Sequence, residues 1–428
     1  MLIQNGKVVL WKNNEIVVEA KDIRIEQGKI QQIEDSLEAK EEEKVLEAQG
    51  KVVMPGMINT HAHVPMSIFR ETFEGCDLYT WLQEKIWPIE DTLQPAEIYD
   101  ASMLSFVEMI ATGCTCVNDH YFMTEEIRKA VEKAGIRAVL TRVAMGNKEE
   151  AQERLAEFDK LYSTRDKENS RITYAVGLHG LYTCTPETVE LVAKKAREYN
   201  LPVHMHFVET KKEVEDILKI HGKRGAEVLQ EKMQGIHLIL AHGVKLEEQD
   251  MEILQKLDCG IAHNPVSNLR LGCKIADTTK YMQKGLNVAL GTDGQGSGSS
   301  MDMFEAMRVA CLIQGGIHEE EEQRLTAKQA LQMATIEGAK LLGLEDKTGS
   351  IEVGKQADII ILNLEPCLEN ITMHPYQDVI SNIVFNATGR NVETTIVDGK
   401  ILMENRKIEH LDVCEVIKKA SEIMEKRK

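Results

Sequence analysis

The stretch PGMINTHAHVPMS, residues 55–67, decides how the chain is interpreted. It begins as an apolar, strand-like run and ends in His61 and His63. Because alternate residues of a strand point to the same face, both imidazoles are expected to converge at the strand's C-terminal end. Two converging neutral imidazoles suit a divalent transition metal, although two surface histidines would give the same pattern. A metal site therefore requires further ligands from elsewhere in the chain.

Outward from this stretch, short apolar runs alternate with helical stretches over residues 55–348. Most runs precede an amphipathic helix pattern such as PETVELVAKKAREYN. The runs that predict strands are VVMPGMINTHAH, CTCVND, RAVLTRVA, ITYAVGLHG, PVHMHFVE, HLILAHGV, GIAHNP and NVALGTDG. These alternating units predict an α/β fold with a (β/α)8 TIM barrel over 55–348.

Both ends of the chain have a different, β-rich pattern. Val- and Ile-rich segments fill residues 1–54, with a turn signal at Asn5-Gly6. The β pattern returns after Gly349 in the segments GSIEVGKQADIIILNL, SNIVFNA and ETTIVDGKILM. We therefore predict a small β-sandwich domain composed of residues 1–54 and 349–410. The last segment, 411–428, predicts a charged amphipathic helix.

Composition limits the classes of function. The chain is 43% hydrophobic and 28% charged, which is ordinary for a globular protein, and its net charge of −18 disfavours nucleic acid and anionic membrane surfaces. The N-terminus lacks a secretory signal pattern, and no apolar stretch reaches the ~20 residues that span a bilayer. Nine cysteines without a CxxC pair are typical of reduced thiols, so a cytoplasmic protein is expected.

Polar residues recur at the C-terminal ends of the predicted barrel strands, where barrel active sites lie. A single histidine there is often only a satisfied polar group, but such recurrence predicts a functional site. The residues that follow His61 and His63 in this pattern are His179 on strand four, His204, His206 and Glu209 on strand five, His242 on strand six and Asp293 on strand eight.

Several motifs resemble the amidohydrolase superfamily, namely PGMINTHAH, HMHFVET, LAHGV, HNPVSN, LGTDG and GSIEVGKQADIIIL. The resemblance covers essentially the whole chain. It implies that one divalent metal is bound by His61, His63, His206 and Asp293. Two-metal members often carry a carbamylated lysine at the end of strand four, where this chain has His179, so a mononuclear site is expected. The nitrogen-rich donor set suits Zn²⁺, and Fe²⁺ also fits.

Glu209, three residues after His206, resembles an acidic residue of the superfamily's purine and pyrimidine deaminases. A protonated carboxyl at this place could donate to a ring nitrogen and activate the adjacent C–NH2 carbon for attack by water. His242 is expected to orient or deprotonate the water, and Asp293 to ligate the metal and relay a proton. The alternative is that Glu209 caps the next helix, a role that Thr210 could also fill.

The segment WLQEKIWPIED, residues 81–91, resembles the segment after strand one in 5′-methylthioadenosine/S-adenosylhomocysteine deaminases. The resemblance implies that Glu90 binds the ribose hydroxyls, Arg142 the far end of the substrate and His179 the purine or sugar. Glu209 and Asp293 would also contact the substrate. The alternatives are that Glu90 only starts a helix and that Arg142 forms a structural ion pair.

The expected function is hydrolytic deamination of an adenosine-type nucleoside with a modified 5′ end, which gives an inosine analogue and ammonia. The alternatives are deamination of guanine or cytosine, dechlorination of triazine rings, and a catalytically inactive scaffold of the same fold. The expected partner is a small-molecule nucleoside, and assembly into a homo-oligomer is left open. Departures from the family pattern at Leu181, at Cys273 and in GQGSGSS after Asp293 leave the exact substrate undecided.

Overall fold

Eight parallel strands, paired in sequence order, form the barrel of the computed structural model, which describes residues 1–72, 74–168, 171–366 and 378–427. All eight predicted barrel strands are confirmed. They are β6 (Met57–Ala62), β7 (Cys114–Tyr121), β8 (Arg137–Ala144), β9 (Ile172–Gly180), β10 (Val203–Phe207), β11 (Leu238–His242), β12 (Cys259–His263) and β13 (Asn287–Leu290). They are almost entirely buried, as expected for a parallel sheet covered by helices.

The first and last barrel strands meet and bring the ring nearly to closure. The hydroxyl of Thr60 donates to the carbonyl oxygen of Leu290 at 2.8 Å. Just beyond, the backbone N–H of Asp293 donates to the carbonyl oxygen of His61 at 3.0 Å. These contacts bring the residues after β13 beside the end of β6.

Helices surround the barrel and connect its strands. Their bounds are α1 (Leu78–Thr80), α2 (Trp87–Glu90), α3 (Pro95–Thr112), α4 (Thr124–Ala134), α5 (Lys148–Ser163), α6 (Pro186–Tyr199), α7 (Lys211–His221), α8 (Gly225–Lys232), α9 (Glu248–Leu254), α10 (Pro265–Arg270), α11 (Thr278–Gln283), α12 (Gln295–Gly298), α13 (Met303–Ile317), α14 (Ala327–Met333), α15 (Ile336–Leu341), α16 (Val379–Phe385) and α17 (Val413–Glu425). A π-helical stretch, Trp81–Ile86, joins α1 to α2. None of the helices over the described residues is long and apolar enough to cross a membrane.

A second sheet is built from both ends of the chain. Its strands are β1 (Leu2–Lys12), β2 (Glu15–Glu26), β3 (Lys29–Glu34), β4 (Val45–Glu47), β5 (Val52–Pro55), β14 (Ile359–Leu362), β15 (Val392–Val397) and β16 (Lys400–Met403). Strand β5 joins the two ends, because it pairs with β1 on one side and β14 on the other. The exact limits of the domains remain a prediction, and residues 367–377 and 428 of the predicted end segments lie outside the described residues.

The apolar run that was expected to be one barrel strand is divided between the two sheets at Gly56. Its first part is β5 of the second sheet, and its second part is β6 of the barrel. A Cβ at Gly56 would lie 2.1 Å from the Thr115 hydroxyl oxygen, so a side chain would not fit where the chain passes from one sheet to the other. Periodicity alone does not reveal this division, because both parts are fully buried.

Two predictions for the chain ends are wrong. Asn5-Gly6 is not a hairpin turn but an irregularity within β1, where Asn5 has a φ of 60° and its N–H donates to Asp22. The segment SNIVFNA does not form a strand, because residues up to Phe385 belong to α16. The Asp378 side chain caps that helix by accepting from the N–H of Ile380, which favours a helix over the β propensity of the segment.

The two sheets are joined by a buried ion pair at the N-terminal end of the barrel. Arg137, the first residue of β8, donates from Nε to Oδ2 of Asp358 at 2.6 Å, and both side chains are almost fully buried. The Thr348 hydroxyl and the Asp398 N–H also donate to this carboxylate. Because the second sheet lies at this end of β8, the opposite ends of the barrel strands remain available for a site.

Candidate active site

Most of the polar residues singled out in the sequence line one cavity of about 570 Å³ at the C-terminal ends of the barrel strands. This volume is within the range of pockets for drug-sized ligands. The predicted residues that line it are His63, Glu90, Arg142, His179, His206, Glu209, His242 and Asp293. His61 lies beneath them and is fully buried.

His63 and His206 present the same ring nitrogen to each other. Their Nε2 atoms are 3.2 Å apart. Each Nδ1 donates to a backbone carbonyl, His63 to His120 at 2.6 Å and His206 to His179 at 2.8 Å. Because Nδ1 of each ring donates to the backbone, Nε2 is the nitrogen of each neutral imidazole that could ligate a metal.

His61 completes a group of three imidazoles. Its Nδ1 lies 2.8 Å from Nε2 of His204, the other histidine of the HMH motif. Its Nε2 is buried without a hydrogen-bond partner among the described residues. A buried polar atom of this kind is costly unless something binds it. The contact with His204 thus uses Nδ1 of His61, the ring nitrogen that faces away from the group of three imidazoles.

Asp293 lies beside these imidazoles and is oriented by two hydroxyl groups. Its Oδ1 is 3.1 Å from Nε2 of His63 and 3.4 Å from Nε2 of His61. Its Oδ2 accepts hydrogen bonds from Ser267 at 2.6 Å and from Ser297 at 3.0 Å. The φ of Asp293 is 62°, so the chain turns sharply where this carboxylate enters the cavity.

The donor set fits a divalent metal. Ligand atoms of His61, His63 and His206 lie within 4.8 Å of one another, and so do those of His61, His242 and Asp293. Imidazole nitrogens with one carboxylate oxygen form a set that zinc and similar divalent ions prefer. A metal at this place would also satisfy the buried Nε2 of His61, which has no hydrogen-bond partner among the described residues.

Glu209 enters the cavity through a sharp change in the backbone after β10. The strand ends at Phe207, and Val208 has a φ of 43°. The Glu209 carboxylate Oε1 accepts from Nδ2 of Asn268 at 3.1 Å and from Sγ of Cys273 at 3.3 Å. The side chain that caps α7 is Thr210, which accepts from the N–H of Glu213.

The environment of Glu209 favours its protonated form. Burial raises the pKa of this carboxyl to about 8, with further contributions from the negative charges of Asp293 and Glu213. The carboxyl therefore carries a proton at neutral pH. A buried carboxyl with a raised pKa beside a cluster of polar groups is typical of a catalytic acid.

His242 faces the same group from the end of β11. Its Nδ1 is 2.9 Å from Nδ2 of Asn268 and 3.3 Å from Nδ2 of Asn264. Burial lowers the pKa of His242 to about 3, so the imidazole is neutral. Its φ of 76° directs the chain away from the barrel immediately after the strand.

Glu90 forms part of the cavity wall contributed by the segment after β6. It is the last residue of α2, rather than the start of a helix, and it accepts a hydrogen bond from the Tyr121 hydroxyl. Burial raises the pKa of the Glu90 carboxyl to about 7. Trp87, in the same helix, lies 6.2 Å from His179 between ring centroids, and His179 contacts Thr183 through Nδ1 at 2.9 Å.

Charged residues form the outer part of the cavity. Arg142, on β8, donates from Nε to Oε2 of Glu157 at 2.8 Å and from Nη1 to the carbonyl oxygen of Val143 at 2.7 Å. Arg154, on α5, also lines the cavity and is half-buried, and it forms no ion pair with any residue that the structure describes. The contact between Arg142 and Glu157 is the structural ion pair that the sequence offered as the alternative role of Arg142.

Several residues of the site were not found in the sequence. Ser267 and Asn268 belong to HNPVSN, which was noted only as a family motif, and its position directly after a barrel strand was the available signal. Tyr121 ends β7, so the same signal applied to it. Arg154 lies within α5, and its approach to the cavity depends on how that helix packs.

A (β/α)8 barrel with imidazoles and a carboxylate at its C-terminal face defines the class of metal-dependent hydrolases. The model of the Amidohydrolase family matches residues 52–402. This chain belongs to the amidohydrolase family, which confirms the resemblance seen in its motifs.

Two relatives and one solved structure that are similar to this chain over most of its length are deaminases. The chain is 39% identical over 412 residues to a 5′-deoxyadenosine deaminase of Methanobrevibacter smithii, covering 94% of this chain and 93% of that protein. It is 39% identical over 430 residues to a 5-methylthioadenosine/S-adenosylhomocysteine deaminase of Shouchella clausii, covering 98% of each. A zinc-bound adenosine deaminase of Xanthomonas campestris superposes with a TM-score of 0.91 at 28% identity, covering 99% of this chain and 98% of that one.

Proposed function

We propose that this protein is a metal-dependent hydrolytic deaminase of adenosine-type nucleosides with a modified 5′ end. Water replaces the amino group at C6 of the purine, so the products are an inosine analogue and ammonia. The main support for this proposal is the position of Glu209. This buried carboxyl, whose pKa is about 8, lines the cavity beside the histidine and aspartate cluster. The deaminase names of relatives at about 39% identity support the same reaction.

The proposed metal ligands are His61, His63, His206 and Asp293, holding one ion that we take to be Zn²⁺. Three imidazole nitrogens and one carboxylate oxygen suit zinc, and the zinc-bound structural relative supports this choice. When bound, the metal would supply the Lewis acidity that makes water nucleophilic near neutral pH.

Glu209 is proposed to manage protons at the purine ring. In its protonated form it donates to the ring nitrogen next to the amino-bearing carbon, which makes that carbon more electrophilic. After water adds, the Glu209 carboxylate takes the proton of the new C6 hydroxyl group and passes it to the amino group, so the C6–N bond breaks, C6 becomes a carbonyl and ammonia departs as a neutral molecule. The first proton of the water, taken by Asp293, then returns to Glu209. Asp293 and His242 lie on the opposite side of the reacting carbon in this proposal, where they contact the water.

Glu90 is proposed to select a nucleoside over a free base. A carboxylate can accept from two vicinal hydroxyl groups, and the ribose of a nucleoside offers such a pair. The hydroxyl of Tyr121 donates to Oε1 of Glu90 and so restrains its orientation in the wall of the cavity. His179, near Trp87, is proposed to contact the purine or the sugar.

Arg142 and Arg154 are proposed to contact the 5′ end of the substrate. Both line the outer part of the cavity together with apolar residues such as Met145 and Phe122. This mixture suits a thioether-linked tail that ends in a charged group, as in S-adenosylhomocysteine. Arg154 supports this assignment because it has no ion-pair partner among the described residues.

Ammonia release tests the proposed function. Purified, metal-loaded protein is incubated with adenosine, 5′-deoxyadenosine, 5′-methylthioadenosine, S-adenosylhomocysteine, adenine, guanine, cytosine and a chlorotriazine. The proposal expects ammonia and the inosine-type ultraviolet spectrum from adenosine derivatives, with adenine a poor substrate. Activity on guanine, cytosine or the triazine alone would overturn the substrate assignment, and inactivity on every compound would favour a scaffold.

The location of the protein in the cytoplasm and its assembly into a homo-oligomer remain predictions from the sequence. The proposed function needs only a small-molecule substrate.

A further inference from the structure

Asn268 lies between Glu209, which moves protons in the proposed function, and His242, which contacts the water. It belongs to α10 and is 1% exposed. Its Nδ2 is 3.1 Å from Oε1 of Glu209 and 2.9 Å from Nδ1 of His242. Resting on the proposed function, we infer that Asn268 is a positioning residue whose two amide hydrogens fix the hydrogen-bonding roles of both groups at once.

The surroundings of Glu209 decide which way the Asn268 amide points. Oε1 of Glu209 also accepts from the Cys273 thiol at 3.3 Å, so this oxygen is already an acceptor. The reversed amide would place its own oxygen against Oε1, a contact that requires the carboxylic hydrogen of Glu209 to lie on this same oxygen. In the orientation described, the two hydrogens on Nδ2 have two acceptors, and Oδ1 is buried without a hydrogen-bond partner among the described residues.

The backbone around Asn268 holds the amide in place. Its N–H donates to the carbonyl oxygen of Asn264 at 3.1 Å, and its own carbonyl accepts from the N–H of Cys273 at 2.8 Å. The neighbouring Ser267 donates to Asp293 from the same short helix. One turn of helix therefore orients three of the groups that face the reacting carbon, a rigid support of the kind that active sites require.

The two donors on Oε1 determine where Glu209 keeps its proton. Oε1 accepts from Asn268 and Cys273, so the carboxylic proton is carried by Oε2. Glu209 lines the cavity, and Oε2 is the oxygen left to exchange a proton with the substrate. Without Asn268 the proton could reside on either oxygen, and part of the protein would hold Glu209 in an unproductive form.

The same amide determines the tautomer of His242. Since Nδ1 accepts from Asn268, the ring hydrogen of the neutral imidazole is on Nε2. His242 therefore donates toward the reacting centre and orients the water or the oxygen of the addition intermediate. It does not take the proton of the water, which narrows the role expected from the sequence and assigns the proton to Asp293.

A double-mutant cycle tests this inference. The single variants are Asn268→Ala and Glu209→Gln, and the double variant combines them. Asn268→Ala should lower kcat by ~10²-fold, the scale of general acid–base catalysis, with little change in KM. Because Asn268 acts largely through Glu209, the double variant should lose far less than the product of the single losses. Metal content should stay near that of the wild type in every variant, and the Tm of Asn268→Ala should stay near the wild-type value.

Asn268→Asp provides a second cycle if the alanine variant does not fold, because it keeps the volume of the side chain and offers at most one hydrogen. Asn287→Asp is the matched control. Asn287 begins β13 at the other end of the barrel, and its side chain donates to the carbonyl oxygen of Glu337, so the kcat of Asn287→Asp should be unchanged.

Each result separates the inference from the proposed function. The cycle is measured on whichever ring substrate the wild type deaminates fastest, so a wrong nucleoside assignment leaves it valid. Losses that multiply, a kcat near the wild-type value, or a loss explained by missing metal would overturn the role of Asn268. A wild type that deaminates no compound would overturn the proposed function and, with it, this role.

Discussion

The guanidinium of Arg142 forms an ion pair with the carboxylate of Glu157 at the mouth of the cavity, with Nη2 2.7 Å from Oε2. The Arg142 side chain is 8% exposed, whereas that of Glu157 is 61% exposed. An ion pair with such an exposed partner contributes little to stability. Glu157 can therefore leave when a substrate carboxylate arrives, and until then it competes for the cation.

The first prediction follows from this competition. Arg142→Ala should lower kcat/KM for S-adenosylhomocysteine by about 10- to 150-fold, the effect of losing a charge-assisted hydrogen bond. The uncharged tail of 5′-methylthioadenosine should be affected little. Glu157→Gln is the matched variant and should raise kcat/KM for S-adenosylhomocysteine, because Arg142 is then unpaired. Equal losses on both substrates would show that Arg142 supports the strand instead of binding the tail.

The second prediction concerns the ribose and the pair of Glu90 and Tyr121. Glu90→Gln should lower kcat/KM for nucleosides by roughly 10-fold or more, since a charged acceptor is replaced by a neutral one. The loss should be much smaller for a 2′,3′-dideoxy analogue of the best substrate, which lacks the hydroxyl groups. Tyr121→Phe, which leaves the Glu90 carboxylate in place, serves as the milder comparison. The same loss on both nucleosides would exclude ribose recognition by Glu90.

The fold was predictable because each signal was local. Each barrel strand is a short, fully buried apolar run followed by a helix, so periodicity and turn residues were sufficient. The sequence did not predict the division at Gly56, because the same apolar run serves two sheets. The capped helix at SNIVFNA was also missed, because its capping residue, Asp378, lies outside the apolar segment.

The site was predictable where a ligand-type residue ends a strand. His61, His206 and Asp293 were found in this way, and the structure brings them together. Asn268 was missed because an asparagine in a loop-helix motif gives no chemical signal by itself. Its significance depends on two partners, Glu209 and His242, that are 59 and 26 residues away in the sequence.

The third prediction concerns the metal. Elemental analysis of the purified protein should find one divalent ion per chain, and Asp293→Asn should reduce both the metal content and the activity because it removes the only proposed carboxylate ligand. His237→Gln is the control histidine variant, since His237 contacts Asp258 and the carbonyl oxygen of Leu341 away from the cavity. Two tightly bound ions per chain in the wild type would contradict the mononuclear site.

The fourth prediction is the pH dependence of catalysis. Glu209 donates a proton in the proposed reaction, and its pKa is about 8. The active form is therefore complete below this pH and is lost as the pH rises through it. The kcat/KM for an adenosine derivative should fall as the pH rises through the pKa that Glu209 has in the metal-loaded protein, by about tenfold for each pH unit beyond it. A profile that stays flat to pH 10 would assign the proton donation to another group.

The fifth prediction links the chemistry of Glu209 to stability. The folded protein raises the pKa of this carboxyl from 4.5 to about 8, so the folded state binds a proton that the unfolded state has released at neutral pH. Stability is consequently lost as the pH rises from about 4.5 to 8, and at pH 7 the loss is about 3 kcal/mol.

Glu209→Gln removes this pH-dependent loss of stability because glutamine is neutral at every pH. In metal-free protein, the variant should have a higher Tm than the wild type at pH 7, and the difference should disappear near pH 4, where both side chains are neutral. The same variant should lose deamination by ~10²-fold or more, since an amide cannot serve as a general acid. Glu215→Gln, at an exposed position of α7, is the control and should change neither quantity. Thermal unfolding from pH 4 to pH 8 measures the effect. Equal Tm values for variant and wild type over this range would mean that Glu209 is ionised in the folded protein and that its proton is not available to the substrate.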